Sequence, residues 1–162
     1  MHNKQWAMVA LGGLFAMSVQ AQPTTFQPDK HTTVTLALHG QQVNLEIQRN
    51  GHTQSRELRV QAEKPLHIEL DDFNFDGTGD FAIWHVDDGM GTYTIHRVFI
   101  YDPTQGEFVE RFPACGDEFL NLKVNKPGKF LVSTYYQGNI PRRCLTRPNQ
   151  APGPEPLSAD QS

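Results

Sequence analysis

The chain has 162 residues, with 14 Lys and Arg against 18 Asp and Glu and a formal charge of −4 at neutral pH, a balance that gives a nucleic-acid backbone little to attract. Its two cysteines, Cys115 and Cys144, come with no Cys/His cluster at ligand spacing, so neither a zinc site nor a redox motif is indicated. No G-x-S-x-G, no H-E-x-x-H and no defensible triad occurs, and an enzyme is not expected.

At the start, Lys4 precedes an apolar run from Trp6 to Met17 and the small-residue stretch Ser18-Val19-Gln20-Ala21. This reads as a secretory signal peptide over residues 1–21, cleaved near Ala21. The run is shorter than the roughly 20 residues that span a bilayer, and no Cys follows Ala21 to carry a lipid, so the expectation is an exported, unanchored protein. Loss of Lys4 leaves a charge of about −5 on the remaining 141 residues, a length suited to one domain with a real core. In an oxidising compartment Cys115 and Cys144 pair most simply with each other, two free thiols being the alternative.

Residues 22–30 lack periodicity and read as a flexible lead-in to a single β domain over 31–147. Inside that domain, period-two alternation predicts nine strands: Thr33 to Leu38, Val43 to Ile47, Leu58 to Val60, Leu66 to Leu70, Phe81 to Val86, Tyr93 to Tyr101, Phe108 to Phe112, Phe119 to Val124 and Phe130 to Tyr136. Turn signals at His39-Gly40, Asn50-Gly51, Asp102-Pro103 and Asn125-Lys126-Pro127-Gly128 make successive strands antiparallel. No long apolar 3.6-residue period occurs, and a short turn near Ala114 to Phe119 is the one helical possibility. Residues 148–162, with Pro148, Pro152, Pro154 and Pro156, read as a disordered Pro-rich tail. The fold class expected is all-β, an antiparallel meander forming a sandwich or half-barrel with one calcium loop between strands.

That loop is Asp72-Phe73-Asn74-Phe75-Asp76-Gly77-Thr78-Gly79-Asp80, which fits D-x-N-x-D-G-x-x-D. Alternate oxygen-bearing side chains suit a hard cation that takes six to eight oxygens, so Asp72, Asn74, Asp76, the Thr78 carbonyl and Asp80 are the expected Ca²⁺ ligands. The twelfth position from Asp72 is Ile83 rather than Glu, which separates the loop from a helical EF-hand. Crowded carboxylates repel one another without metal, so calcium is expected to stabilise the strands on both sides. The plain alternative is an Asp/Asn/Gly-rich turn with solvated charges. His85 and His96 fall on the flanking strands as ordinary strand histidines.

The core Asn74-Phe75-Asp76-Gly77, the strand Phe81-Ala82-Ile83-Trp84, the loop Asp87-Asp88-Gly89-Met90-Gly91-Thr92-Tyr93, and the later Phe108, Leu120 to Leu122 and Lys129 to Ser133 appear in an order that resembles a known family. It comprises the periplasmic calcium-binding immunity proteins of bacterial-killing type IV secretion systems, inhibitors of lysozyme-like peptidoglycan hydrolases that are similar in shape to periplasmic lysozyme inhibitors. The likeness covers roughly residues 66–136. It implies a periplasmic protein whose partner is a peptidoglycan hydrolase, and a Ser-Gly-x-x-Tyr-like loop that enters the enzyme cleft and contacts its catalytic carboxylates. Here Gly89-Met90-Gly91-Thr92-Tyr93 is the nearest match. Met90 or Gly89 stands where the serine would, and Thr92 offers a hydroxyl instead.

Independently of that likeness, glycines allow close backbone approach and Tyr93 offers large contact area, so Asp87, Asp88, Gly89, Met90, Gly91, Thr92 and Tyr93 form the expected partner-binding loop, stiffened by the nearby metal turn. A hairpin whose Tyr93 packs in the core is the alternative. Against the inhibitor stands a second function, a calcium-stabilised structural or adhesion module of the cell envelope, in which this loop has no special part.

Overall fold

The computed structural model describes residues 22–149. The predicted signal peptide and positions 150–162 of the predicted tail lie outside them. Eleven strands follow in order: β1 Thr24–Asp29, β2 Thr32–His39, β3 Gln42–Arg49, β4 His52–Arg59, β5 His67–Asp71, β6 Asp80–Val86, β7 Thr94–Asp102, β8 Glu107–Arg111, β9 Phe119–Asn125, β10 Phe130–Gln137 and β11 Ile140–Thr146. All pairings are antiparallel.

Strands β1 to β4 form one sheet in sequence order. The second sheet runs β11-β10-β9-β7-β6-β5, with β8 also paired to β7. The expected all-β sandwich is therefore present, and it does not close into a barrel. Strand β7 makes the sheet fork: its first half pairs with β9 through Ile95 and His96, its second half with β8 from Val98 onward.

Strands β6 and β7 read as almost unbroken apolar runs because both of their faces are covered. Their Phe81, Ile83, Phe99 and Tyr101 face Val34, Leu36, Val43, Leu45 and Ile47 of the first sheet, while Ala82, Val98 and Ile100 pack with Phe73, Phe119 and Leu131 on the opposite face. Phe81 stacks on Phe99 at 4.8 Å between ring centroids. Each fully buried side chain of this size contributes about 1.5–3 kcal/mol, so the two central strands hold the protein together.

Three expectations for the strands are corrected. Residues 22–30 are not a flexible lead-in: Thr24 and Thr25 pair with Leu36 and Thr35, and Phe26 packs on the core with its ring 6.1 Å from that of Phe108. The third predicted strand begins at His52, and β11 is an added strand. Both are edge strands with mostly exposed side chains, so no apolar alternation marked them. No helix forms between Ala114 and Phe119, where bends lead to Cys115 and its disulfide with Cys144.

Candidate functional site

The D-x-N-x-D-G segment spans the turn between Asp71 and Asp80, which are paired across β5 and β6. Phe75 and Gly77 take positive φ values of 63° and 89°, turning the chain sharply enough to bring alternate side chains together. Asp72 accepts the Asp76 N–H at 3.1 Å on one oxygen and the Gly77 N–H at 2.9 Å on the other. Asn74 Oδ1 also accepts the Asp76 N–H at 3.1 Å, and its amide donates to Asp76 Oδ2 at 2.6 Å. Asp76 Oδ1 accepts both the N–H and the hydroxyl of Thr78, at 2.7 and 2.6 Å. Burial alone would raise the Asp76 pKa, but the donors from Thr78 and Asn74 outweigh it and hold the carboxyl below its ordinary value.

Asp80 has a different part. It is 0 % exposed and accepts the Phe73 and Asn74 N–H groups on one oxygen, at 2.8 and 3.3 Å, and the Tyr101 N–H on the other at 2.9 Å. It thus ties the loop to β7. Burial pushes its pKa up to about 7, against the pull of these three N–H donors, with the Asp76 charge adding to the rise.

Asp72, Asn74, Asp76 and Thr78 are therefore drawn together by mutual hydrogen bonds, and Asp80 braces the base of the turn. Among the described residues, no three His, Cys, Asp or Glu side chains converge as a metal-binding group. The donor chemistry suits a hard cation at Asp72, Asn74 and Asp76. Asp76 Oδ1 and Asp80 Oδ2 already accept two hydrogens each, which narrows the oxygens left for an ion.

The second predicted element joins β6 to β7. Asp87, expected at a partner contact, is buried at 6 % exposure and closes the loop from within. Its N–H donates to the Tyr93 carbonyl at 2.9 Å, and its Oδ1 accepts the Tyr93 N–H at 3.3 Å. Asp88 Oδ1 accepts the N–H groups of Glu63 and Lys64 at 2.8 and 3.1 Å, pinning the loop to the segment before β5. The exposed surface is thus Asp88 to Thr92, with Met90 at its tip 89 % exposed. Tyr93 belongs to neither core cluster; it is half-buried, with its ring 6.5 Å from that of Tyr136.

One spatial expectation fails. The Asp/Asn turn lies at the start of β6 and the Gly-Tyr loop at its end, seven residues apart, or about 20 Å along a strand. The turn does not stiffen the loop by contact; Asp87 and Asp88 hold it in place.

His85 and His96 are buried strand histidines. His85 Nδ1 lies 2.9 Å from the Val86 carbonyl, a contact that fits the tautomer with its proton on Nδ1. Trp84 lies between two histidines, 4.1 Å from the His67 ring and 5.9 Å from the His96 ring. His96 Nε2 is 3.9 Å from Glu69, yet burial pushes its pKa down to about 4, so the contact carries no ion pair at neutral pH. Near pH 6.5 the unfolded chain binds a proton on this residue that the folded chain refuses. A depressed histidine contributes stability above its unfolded pKa and loses it as pH falls. Acidification from pH 6.5 to 4 is therefore expected to remove up to roughly 3 kcal/mol of this residue's own contribution, while Asp80, whose raised pKa favours the folded chain as pH falls, acts in the opposite sense. Urea denaturation of the wild type and of His96→Gln side by side isolates it: the stability difference between the two should change by about that amount between pH 6.5 and 4.

No protein-family model, curated protein or solved structure matches the chain.

Proposed function

We propose that this is a periplasmic calcium-binding inhibitor or immunity protein that occludes the cleft of a lysozyme-like peptidoglycan hydrolase with the loop Asp88 to Tyr93. The observation that supports it is Met90, 89 % exposed at the tip of a loop whose two ends are fixed by Asp87 and Asp88. A flexible thioether side chain at a loop tip can adapt to a partner's surface, and a loop already held at its ends loses little entropy on binding. The likeness of residues 66–136 to type IV secretion immunity proteins points to the same loop and to the same kind of partner.

Met90→Ala and Tyr93→Ala are each expected to weaken binding to the cognate hydrolase about tenfold or more, or at least 1.4 kcal/mol, as read by calorimetry and by protection in a lytic assay. Unchanged affinity in both would remove the loop from the interface. A structural or adhesion module would instead retain envelope polymer and leave lysis unprotected.

In this reading calcium is held by Asp72, Asn74 and Asp76, with the Thr78 carbonyl and with Asp80 at the base, and it serves the fold. At calcium a hundredfold above its dissociation constant, stabilisation of about 2.7 kcal/mol is expected, seen as a raised melting temperature over chelator-treated protein. Asp76→Ala should abolish that rise while leaving hydrolase binding intact, because the two loops lie at opposite ends of β6. A melting temperature unmoved by calcium would eliminate the ion.

A further inference from the structure

The loop from Asp88 to Tyr93 offers six residues, whereas a stable protein interface uses about 20–30 residues a side. The remainder of such a contact must come from surface continuous with the loop. On one side the loop is pinned to Glu63 and Lys64; on the other, the Tyr93 ring lies 6.5 Å from that of Tyr136 on β10.

The registers extend that contact to a whole sheet face. Ile95, Leu120, Thr134 and Arg143 stand directly opposite one another across β7, β9, β10 and β11, so they share one face, about 14 Å from end to end. Two residues either way along β10, Tyr136 and Val132 lie on the same face, and Val132 is opposite Lys123 on β9 and Leu145 on β11. Under β6 and β7 this face is covered by the first sheet, through Phe99 and Tyr101 among others. Neither core cluster holds a side chain from this face of β9, β10 or β11: Phe119 and Leu131 belong to the opposite one. Tyr136 and Leu145 are accordingly 50 % and 51 % exposed. The three strands contain no Asp or Glu, in a chain that has 18. Lys123 and Arg143 are exposed on this face and take part in none of the ion pairs among the described residues, while Arg142, opposite Tyr135, belongs to the other face.

Charged side chains at sheet edges ordinarily protect against pairing with another chain, and both β11 and the part of β9 beyond Leu120 are edges. That accounts for the two cations, but not for a face without a carboxylate or for Tyr136 and Leu145 left uncovered beside them. Tyrosine and arginine are enriched in protein interfaces, and a single sign of charge selects the partner. On the reading of the loop given above, we propose that this face of β9, β10 and β11 is the second half of the docking surface and receives an acidic surface of the hydrolase beside the cleft that the loop enters. Opposite charge speeds the encounter and fixes the orientation in which the loop meets the cleft. A second copy of this chain is a poor occupant, because a two-fold contact brings two identical cationic faces together. An anionic bilayer would take up an apolar wedge standing beyond the cations, whereas Tyr136 and Leu145 sit on the same pleated surface as Lys123 and Arg143.

The test is calorimetry of the purified protein with the hydrolase encoded beside it, at low and at high salt. Lys123→Glu and Arg143→Glu should each weaken binding about tenfold or more at low salt and by less at high salt, and Tyr136→Ala about tenfold at both. Arg142→Glu makes the same change of charge one residue away on the other face and should cost less than about threefold. All four positions are exposed, so the variants should fold, and their melting temperatures check this. If Met90→Ala weakens binding while Lys123→Glu, Arg143→Glu and Tyr136→Ala bind like the wild type, the loop acts alone: the docking face is overturned and the inhibitor reading stands. If the wild type binds no hydrolase, both are overturned. Equal losses in Arg142→Glu and Arg143→Glu would reduce the effect to net charge and remove the face. Self-association in sedimentation, or retention on phosphatidylglycerol vesicles, that Arg143→Glu abolishes and Arg142→Glu preserves would assign the face to a second copy or to a bilayer and overturn the proposal.

Discussion

Asp80→Ala is expected to destabilise the protein by about 4 kcal/mol, a large share of the 5–15 kcal/mol that holds a domain of this kind together. The fully buried carboxylate accepts N–H groups from Phe73, Asn74 and Tyr101, and alanine leaves all three without that acceptor. Each orphaned buried donor costs about 1–3 kcal/mol, and the contributions are not additive. Asp80→Asn keeps one oxygen and sets an NH₂ group against the remaining donors, so its loss should fall between wild type and alanine. Denaturant unfolding with chelator present, so that no loop cation contributes, measures both. If Asp80→Ala unfolds at the wild-type midpoint, Asp80 is a metal ligand alone and the brace to β7 has no energetic weight.

This double aspect of Asp80 shows where the sequence was legible and where it was not. The D-x-N-x-D-G spacing identified a tight loop and brought Asp72, Asn74, Asp76 and Thr78 together, because a turn with positive φ at Phe75 and Gly77 makes alternate side chains converge. It could not distinguish a residue facing an ion from one facing the backbone of β7, a strand 21 residues further on. The Gly89-to-Tyr93 loop is marked by its glycines, but the burial of Asp87 and the anchoring hydrogen bonds of Asp87 and Asp88 are not legible, since their partners at Tyr93, Glu63 and Lys64 depend on tertiary packing. The sandwich itself followed from alternation in β2, β3, β6, β7 and β10, where one face or both are buried. Strands β4 and β11 left no such trace because their side chains meet water, and pairing with β3 and β10 defines them.

Replacing both Cys115 and Cys144 with alanine is expected to cost roughly 3–4 kcal/mol in the chain-entropy account, for a cross-link that closes a separation of 29 residues. In a domain of this size that corresponds to a fall in melting temperature of about 10 °C. The bridge has local work as well. Residues 112–118 pair with no strand, and apart from the disulfide the Ala114 N–H to Thr146 Oγ1 hydrogen bond, at 2.9 Å, fastens this segment to β11. Phe119, fully buried against Ala82 and Val98, follows immediately, so loosening the segment also loosens the branch where β9 leaves β7. Cys144 is fully buried in the disulfide, and a thiol packs much like a small apolar side chain. Reduction alone should therefore reproduce most of the loss in the double variant, separating the cross-link from the packing of its atoms. A fall below about 3 °C on reduction would mean that β-sheet pairing, rather than the bridge, positions β9 to β11.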